Sequence, residues 1–225
     1  MSIFVCGDIH GTLNINKLDM FMGREDLSEE DYLIICGDTG ICGFGKDDEE
    51  RTREYLRKLP MTVLFCDGNH ERFDELNSFP IDEWHGGKVH IIEPAIIHLI
   101  RGQIYEIEDK LFFTFGGAYS IDRATRILGF TWFEEELPSE EEYEEAWENL
   151  KAHDYMVDYI ITHTAPYEVT SALGYENHDE ALEQVRFFQN IADRVEFQEW
   201  YFGHFHEDTD LDNYHCRIDE ITQLE

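Results

Sequence analysis

The chain is poor in cations. Lysine and arginine together number 17 against 50 aspartates and glutamates, a formal net charge of −33. Duplex and single-strand binding rely on Lys and Arg displacing counterions, so this balance argues against a general nucleic-acid-binding module. It favours solubility and carries no information about fold. Long apolar runs are also missing. No stretch of ~18 or more apolar residues occurs, so no membrane-spanning helix is expected. The N-terminus lacks a basic region followed by a long apolar run, so no secretory signal is expected. Cysteines are few and odd in number, five, with no CxxC pair. That argues against a disulfide framework and against thiolate metal ligation, and it favours small buried residues in a reducing cytoplasm.

What is present suffices for a packed core. The 225 residues are 42% hydrophobic and 14% aromatic, and one domain over 1–225 is the best prior. The first turn, Cys6-Gly7-Asp8-Ile9-His10-Gly11, organises the reading. Ile3–Cys6 reads as a buried strand, and two metal-binding side chains follow it two residues apart. In an extended segment residues i and i+2 point the same way, so Asp8 and His10 could aim at one spot. Residues 1–80 repeat this pattern three times: Ile3–Cys6, Tyr32–Cys36 and Thr62–Cys66 each end in Gly-Asp or Asp-Gly. Helical stretches follow, with Asn14, Asp47 or Asp48, and Asn69 as candidate starts. The spacing fits consecutive βα units feeding a parallel sheet. In such sheets ligands bind outside the carboxyl ends of the strands.

Residues 86–117 read as short antiparallel strands, with Glu108-Asp109-Lys110 as a hairpin turn. Residues 118–138 show little periodicity. Ser139 and Glu142 have capping-box spacing at the start of a helix. Val157–Thr162 and Phe197–Phe202 are further strand-like runs, ending at His163 and at Gly203-His204-Phe205-His206. Tyr214–Ile221 could close the fold.

Five strand-like runs thus end in metal-binding or polar groups: Asp8/His10, Asp38, Asn69/His70, His163 and His204/His206. A lone strand-end histidine is ordinarily a hydrogen-bonded surface residue. Five at the same end of one sheet are hard to obtain by chance. These blocks, Gly7-Asp8-Ile9-His10-Gly11, Gly37-Asp38, Gly68-Asn69-His70-Glu71, Thr162-His163 and Gly203-His204-Phe205-His206, resemble the calcineurin-like metallophosphoesterases in kind and order.

The resemblance implies a four-layer α/β/β/α sandwich of mixed sheets flanked by helices. It implies two metal ions, one on Asp8, His10 and His206, the other on Asn69, His163 and His204, with Asp38 bridging. The implied reaction is phosphoester hydrolysis by a metal-bridging hydroxide, with His70 assisting the leaving group. Paired cations suit this chemistry, since they neutralise the anionic ester and acidify a water. All-N/O ligation suits Mn, Fe or Zn. Many relatives carry a second Asp after the Gly-Asp of the second block. Here Gly37 to Gly43 holds no second carboxylate, so Asp67 or a backbone carbonyl is the candidate support for His70. Arginine suits phosphate, which makes Arg72, Arg123 and Arg126 candidate substrate ligands. The expected substrate is a phosphorylated small molecule or a phosphoprotein. The alternative is a non-catalytic platform on the same fold, which would be expected to lose a ligand or the substrate-facing histidine.

Overall fold

The computed structural model describes residues 1–43 and 45–225. Two sheets stack face to face. The first has strands β1 (Ile3–Cys6), β2 (Tyr32–Ile35), β3 (Thr62–Phe65), β4 (Ile81–Trp84), β5 (Gly87–Glu93), β6 (Ile96–Leu99) and β13 (Thr222–Gln223) in the order β13-β1-β2-β3-β6-β5-β4. The second has β7 (Gln103–Ile107), β8 (Lys110–Phe115), β9 (Tyr159–Thr162), β10 (Glu199–Phe202), β11 (Thr209–Leu211) and β12 (Tyr214–Cys216) in the order β11-β12-β10-β9-β8-β7. Each sheet is parallel at its centre and antiparallel at its edges.

Alternation along the strands builds three apolar layers. Ile3, Val5, Ile34, Leu64, Leu99, Tyr105, Phe112 and Ile161 meet between the sheets. Phe4, Cys6, Leu33, Ile35, Val63 and Phe65 face outward onto Leu18, Phe21, Leu56 and Leu76, carried by α1 (Lys17–Met22), α2 (Lys46–Leu56) and α3 (Phe73–Leu76). On the far side Phe113, Phe115, Ile160 and Trp200 pack against Ala146, Leu150, Val185's neighbour Phe188, and Ile191 of α4 (Glu140–Ala152) and α6 (Leu182–Ala192). The result is the helix–sheet–sheet–helix sandwich.

Several sequence expectations change here. The five functional strand ends belong to two sheets, three to one and two to the other. Periodicity reports which face of a strand is buried but not which neighbour covers it, so both sheets looked like one. Residues 86–117 are not one antiparallel series, because the chain crosses between sheets after β6, which pairs in parallel with β3. Strand β4 is mostly exposed, β11 is at most half-buried, and both lack an apolar signature. The 214–221 run splits into β12 and a turn, and β13 closes the first sheet against β1. Helix α1 begins at Lys17, not at Asn14, and Arg72, not Asn69, precedes α3. Two local expectations coincide with the structure. Glu108 and Asp109 both take left-handed backbone (φ 54° and 60°) in the β7–β8 hairpin, the twist-matched two-residue turn. Ser139 and Glu142 form a reciprocal capping box on α4.

Candidate metal centre and active site

Parallel strands at the middle of both sheets deliver their carboxyl ends to one place. Asp8 and His10 follow β1, Asp38 follows β2, and Asn69 and His70 follow β3. From the second sheet, His163 follows β9, and His204 and His206 follow β10. The loops must turn sharply there. His10, Asp38, His204 and His206 have φ of 45°, 47°, 68° and 54°, left-handed values that cost a non-glycine residue about 1–2 kcal/mol each. His10 is therefore not extended relative to Asp8. A left-handed turn brings it there, and its N–H donates to the Asp38 carbonyl at 2.8 Å. Glycines allow the crowding. A Cβ on Gly68 would lie 2.0 Å from Asp38 Oδ1, and one on Gly203 would lie 2.0 Å from Asp8 Oδ1.

The donor atoms form two adjoining sets. In the first, His206 Nε2 and His10 Nε2 lie 3.2 and 3.5 Å from Asp8 Oδ2 and 2.9 Å from each other. In the second, Asn69 Oδ1 lies 3.0 Å from both His163 Nε2 and His204 Nδ1. Asp38 Oδ2 stands between them, 3.9 Å from His10 Nδ1 and 3.5 Å from His163 Nε2. Asp8, Asp38 and His163 also converge closely enough to share an ion.

Supporting contacts fix which atom each side chain presents. His163 Nδ1 donates to the Cys36 carbonyl at 2.7 Å, which turns Nε2 toward Asn69 and Asp38. Asn69 Nδ2 donates to Ser120 Oγ at 2.9 Å, which turns Oδ1 toward the histidines. The Asp8 carboxylate accepts the His204 N–H, at 3.1 and 3.2 Å from its two oxygens. Behind it, the Lys17 ammonium donates to the carbonyls of Gly7 and Asp8, at 2.8 Å each, and to that of Ile218.

The electrostatics call for positive charge. Burial alone would raise Asp8 and Asp38; His163 first among the neighbouring imidazoles outweighs it and holds both carboxyls below the usual range. Burial would lower His163, yet Asp38 and Asp8 lift it to about 10. Burial and the His163 charge push His204 down to about 3, so it stays a neutral imidazole. Among the described residues neither carboxylate has a Lys or Arg ion pair. Two fully buried carboxylates ringed by imidazoles and an amide oxygen are a donor set that fits borderline divalent cations.

His70 sits at the edge of this cluster. Its N–H donates to Asp38 Oδ1 at 2.8 Å. The guanidinium of Arg126 lies 2.8 Å from His70 Nε2, and since Arg can only donate, that nitrogen accepts. Burial, with Asp38 opposing and Arg126 adding, holds the His70 pKa below its ordinary value. Of the three candidate arginines, Arg126 therefore stands over the site, braced by Asp122 at 2.8 Å. Arg123 lies over the Tyr119 and Trp132 rings and pairs with Glu180. Arg72 pairs with Asp74 and Glu75.

Asp67, a candidate support for His70, is engaged elsewhere: its carboxylate takes two bonds from Arg101, at 2.9 and 2.6 Å, and faces His98 at 3.2 Å. Arg101 and Lys17 are the residues that sequence reasoning misses. Neither sits in a motif: Arg101 pairs with carboxylates dozens of residues away, and Lys17 ties the nearby Gly7 and Asp8 carbonyls to that of distant Ile218. Glu71 is the third, buried with its Oε1 on the Thr39 N–H and hydroxyl. The Gly-Asn-His-Glu run was the available signal.

A family model described as calcineurin-like phosphoesterase matches residues 1–208. Among solved structures, a phosphopantetheinyl hydrolase from Mycobacterium tuberculosis aligns with TM-score 0.50 at 18% identity, over 96% of this chain and 88% of that one. A Staphylococcus aureus protein provisionally assigned as a 5'-nucleotidase, solved with alpha-ketoglutarate, aligns with TM-score 0.53 at 12% identity. The match takes in 99% of this chain and 50% of that one, so this chain spans about half of its length. At these identities the likeness concerns the fold. A search of curated proteins gave no match.

Proposed function

Because the chain belongs to the calcineurin-like phosphoesterases, metal-dependent hydrolases of phosphoric esters, we propose that it cleaves phosphoesters at the cluster around Asp38. Asp8, His10 and His206 would hold one ion and Asn69, His163 and His204 a second, with Asp38 placed to serve both. Two such cations, when bound, neutralise the phosphoryl oxygens and make a water acidic enough to attack at neutral pH. The observation that carries this reading is the convergence of seven donor side chains from five loops of two sheets. Mn, Fe or Zn suits that N/O set.

The chain's own residues do the rest. Arg126 exchanges His70 for a phosphoryl oxygen, a better acceptor for a guanidinium, and leaves His70 Nε2 facing the leaving group. Freed of the guanidinium, His70 Nε2 takes up a proton from solvent; water adds to phosphorus and releases a proton to solvent, the bond to the leaving oxygen breaks, and His70 passes its proton to that oxygen. A histidine whose pKa is held down is a ready donor once protonated. The bond from the His70 backbone N–H to Asp38 Oδ1 ties the loop carrying the ring to the candidate ion-binding cluster. The substrate is a phosphorylated small molecule or a phosphoprotein, handled by the whole chain as one domain. The five buried free cysteines suit a cytoplasmic setting.

Asp38→Asn tests the core of this reading. Metal content measured by mass spectrometry falls by one ion or more per chain, and turnover of p-nitrophenyl phosphate and its bis-ester falls about a hundred-fold or more. A variant that keeps both ions and full turnover overturns the assignment.

A further inference from the structure

Two cavities meet at the His70–Arg126 contact. The first, about 500 Å³, extends from Asp38, His204 and His206 toward Tyr119, Tyr175 and Phe205. The second, about 380 Å³, leads the other way past Arg72 to Phe130, Thr131 and Phe133. His70 and Arg126 line both, and among the described residues no other side chain is common to them. The 2.8 Å His70–Arg126 contact divides the two, and once Arg126 turns from His70 to a phosphoryl oxygen, a phosphorus beside His70 faces room on two sides.

That shape has a chemical meaning. A monoester carries one organic group and fills one cavity. A diester carries two, diverging from a tetrahedral centre, and fills both. The walls suit organic groups. Tyr175 packs tilted against Phe205 with ring centroids 4.3 Å apart, its hydroxyl turned aside onto the Phe205 carbonyl. Phe130 is 69% exposed beside the second cavity, an apolar ring with no core to serve. Aromatic faces of this kind bind flat substituents.

Charge constrains the arms. Away from the ion-binding cluster, Asp122 and Glu176 line the first cavity, with Arg126 the one Lys or Arg among the described residues there. In the second cavity Arg72 is already paired with Asp74 and Glu75. Cations at the cluster would meet the charge of the phosphoryl group itself, so these walls favour uncharged organic arms over anionic ones.

We propose, building on the hydrolase reading above, that this site acts on phosphodiesters with two unlike organic arms. The larger aromatic or heterocyclic arm lies against Tyr175 and Phe205, and the smaller lies against Phe130. In the reaction water adds to phosphorus, one P–O bond breaks, the departing alcohol takes a proton, and a phosphomonoester leaves as the other product. The second hydrolysis, of a product with one arm to fill one cavity, is the slower one.

The test uses the full chain loaded with Mn²⁺. The substrates are the p-nitrophenyl ester of thymidine 5'-monophosphate and p-nitrophenyl phosphate, which share a leaving group. The expected kcat/KM favours the diester by about ten-fold or more. Phe130→Ala and Tyr175→Ala, both at exposed rings, each lower the diester-to-monoester ratio by about three-fold or more. Binding supplies a readout without turnover: by calorimetry, phenyl phenylphosphonate, two-armed and singly charged, binds about ten-fold tighter than phenylphosphonate. A preference for the monoester, or a ratio unmoved by both variants, overturns the diester assignment and leaves the hydrolase reading standing. No turnover of either ester by protein holding both ions overturns the two together.

Discussion

Removing the guanidinium of Arg101 should weaken the fold more than any single loss at the surface. Arg101 and Asp67 are 5% and 1% exposed, and two of the guanidinium nitrogens reach one carboxylate oxygen. A further bond runs from Nη2 to the Glu135 carbonyl at 2.8 Å, and the group lies over the Phe73 ring. Arg101→Met keeps much of the apolar stem and deletes the charge, which strands a buried carboxylate with His98 as its remaining side-chain partner. Breaking a buried pair on one side costs about 3–5 kcal/mol. For a chain of this length each kcal/mol corresponds to about 2–4 °C, so the midpoint should fall by roughly 6–20 °C. The measurement is calorimetric or urea unfolding of chelated protein, because bound ions would add their own stabilisation. Asp67→Asn completes a cycle: the double variant should lose less than the sum of the singles, with a coupling of about 1.5–3 kcal/mol. A single-variant loss below about 1 kcal/mol, or additive singles, would refute the reasoning that this pair is a buried strut under the Asn69–His70 loop.

Other consequences are sharper in kinetics. His70→Ala should lower turnover of alkyl phosphoesters about 10²–10⁴-fold and that of p-nitrophenyl esters far less, since p-nitrophenolate leaves without a proton; equal losses would remove His70 from proton donation. Arg126→Met deletes a positive charge that, after burial, helps hold the His70 pKa down, so the His70 ring should titrate at higher pH by NMR; an unchanged or lower midpoint contradicts the contact. The chelated protein should lose stability as pH rises. His163 is raised to about 10 in the fold against about 6.5 unfolded, so its contribution is complete below about 6.5 and shrinks as pH climbs toward 10. Between about pH 6.5 and 8, below the thiol range, the unfolding midpoint should fall, and added Mn²⁺ should flatten the slope; a flat profile in chelator would show that the Asp38–His163 pairing does not form.

How much of this was legible in the sequence follows from what local patterns encode. The ligand-bearing turns stand out because strand, glycine and donor residue fall within six positions, as in Cys6 to Gly11. The Ser139–Glu142 cap and the Glu108-Asp109 turn are likewise local. The division of strands between two sheets is not local, since Leu64 and Phe112 look alike in sequence and differ only in which sheet carries them. The backbone sign at His10, Asp38, His204 and His206 was equally hidden, because nothing short of the packed site forces those turns. Arg101 escaped because its partners lie dozens of residues away, and Lys17 because its partners are backbone carbonyls, which no side-chain pattern marks. Among the arginines, proximity to a motif pointed to Arg72 and an irregular loop to Arg123 and Arg126; only the folded loop sets Arg126 on His70 and Arg123 on aromatic rings.

The placement of the proposed metal ligands across two sheets has a consequence beyond the proposed catalysis. Asp8, His10, Asp38 and Asn69 ride on one sheet, His163, His204 and His206 on the other, and the layer of Leu64, Leu99, Tyr105 and Phe112 sets the gap between them. Ion affinity is therefore a gauge of how two halves of the molecule dock. A cavity opened at Phe112, far from any donor atom, would loosen the grip on the ions as surely as a changed ligand. The centre behaves as a keystone, whose fit reports the alignment of both sides of the arch.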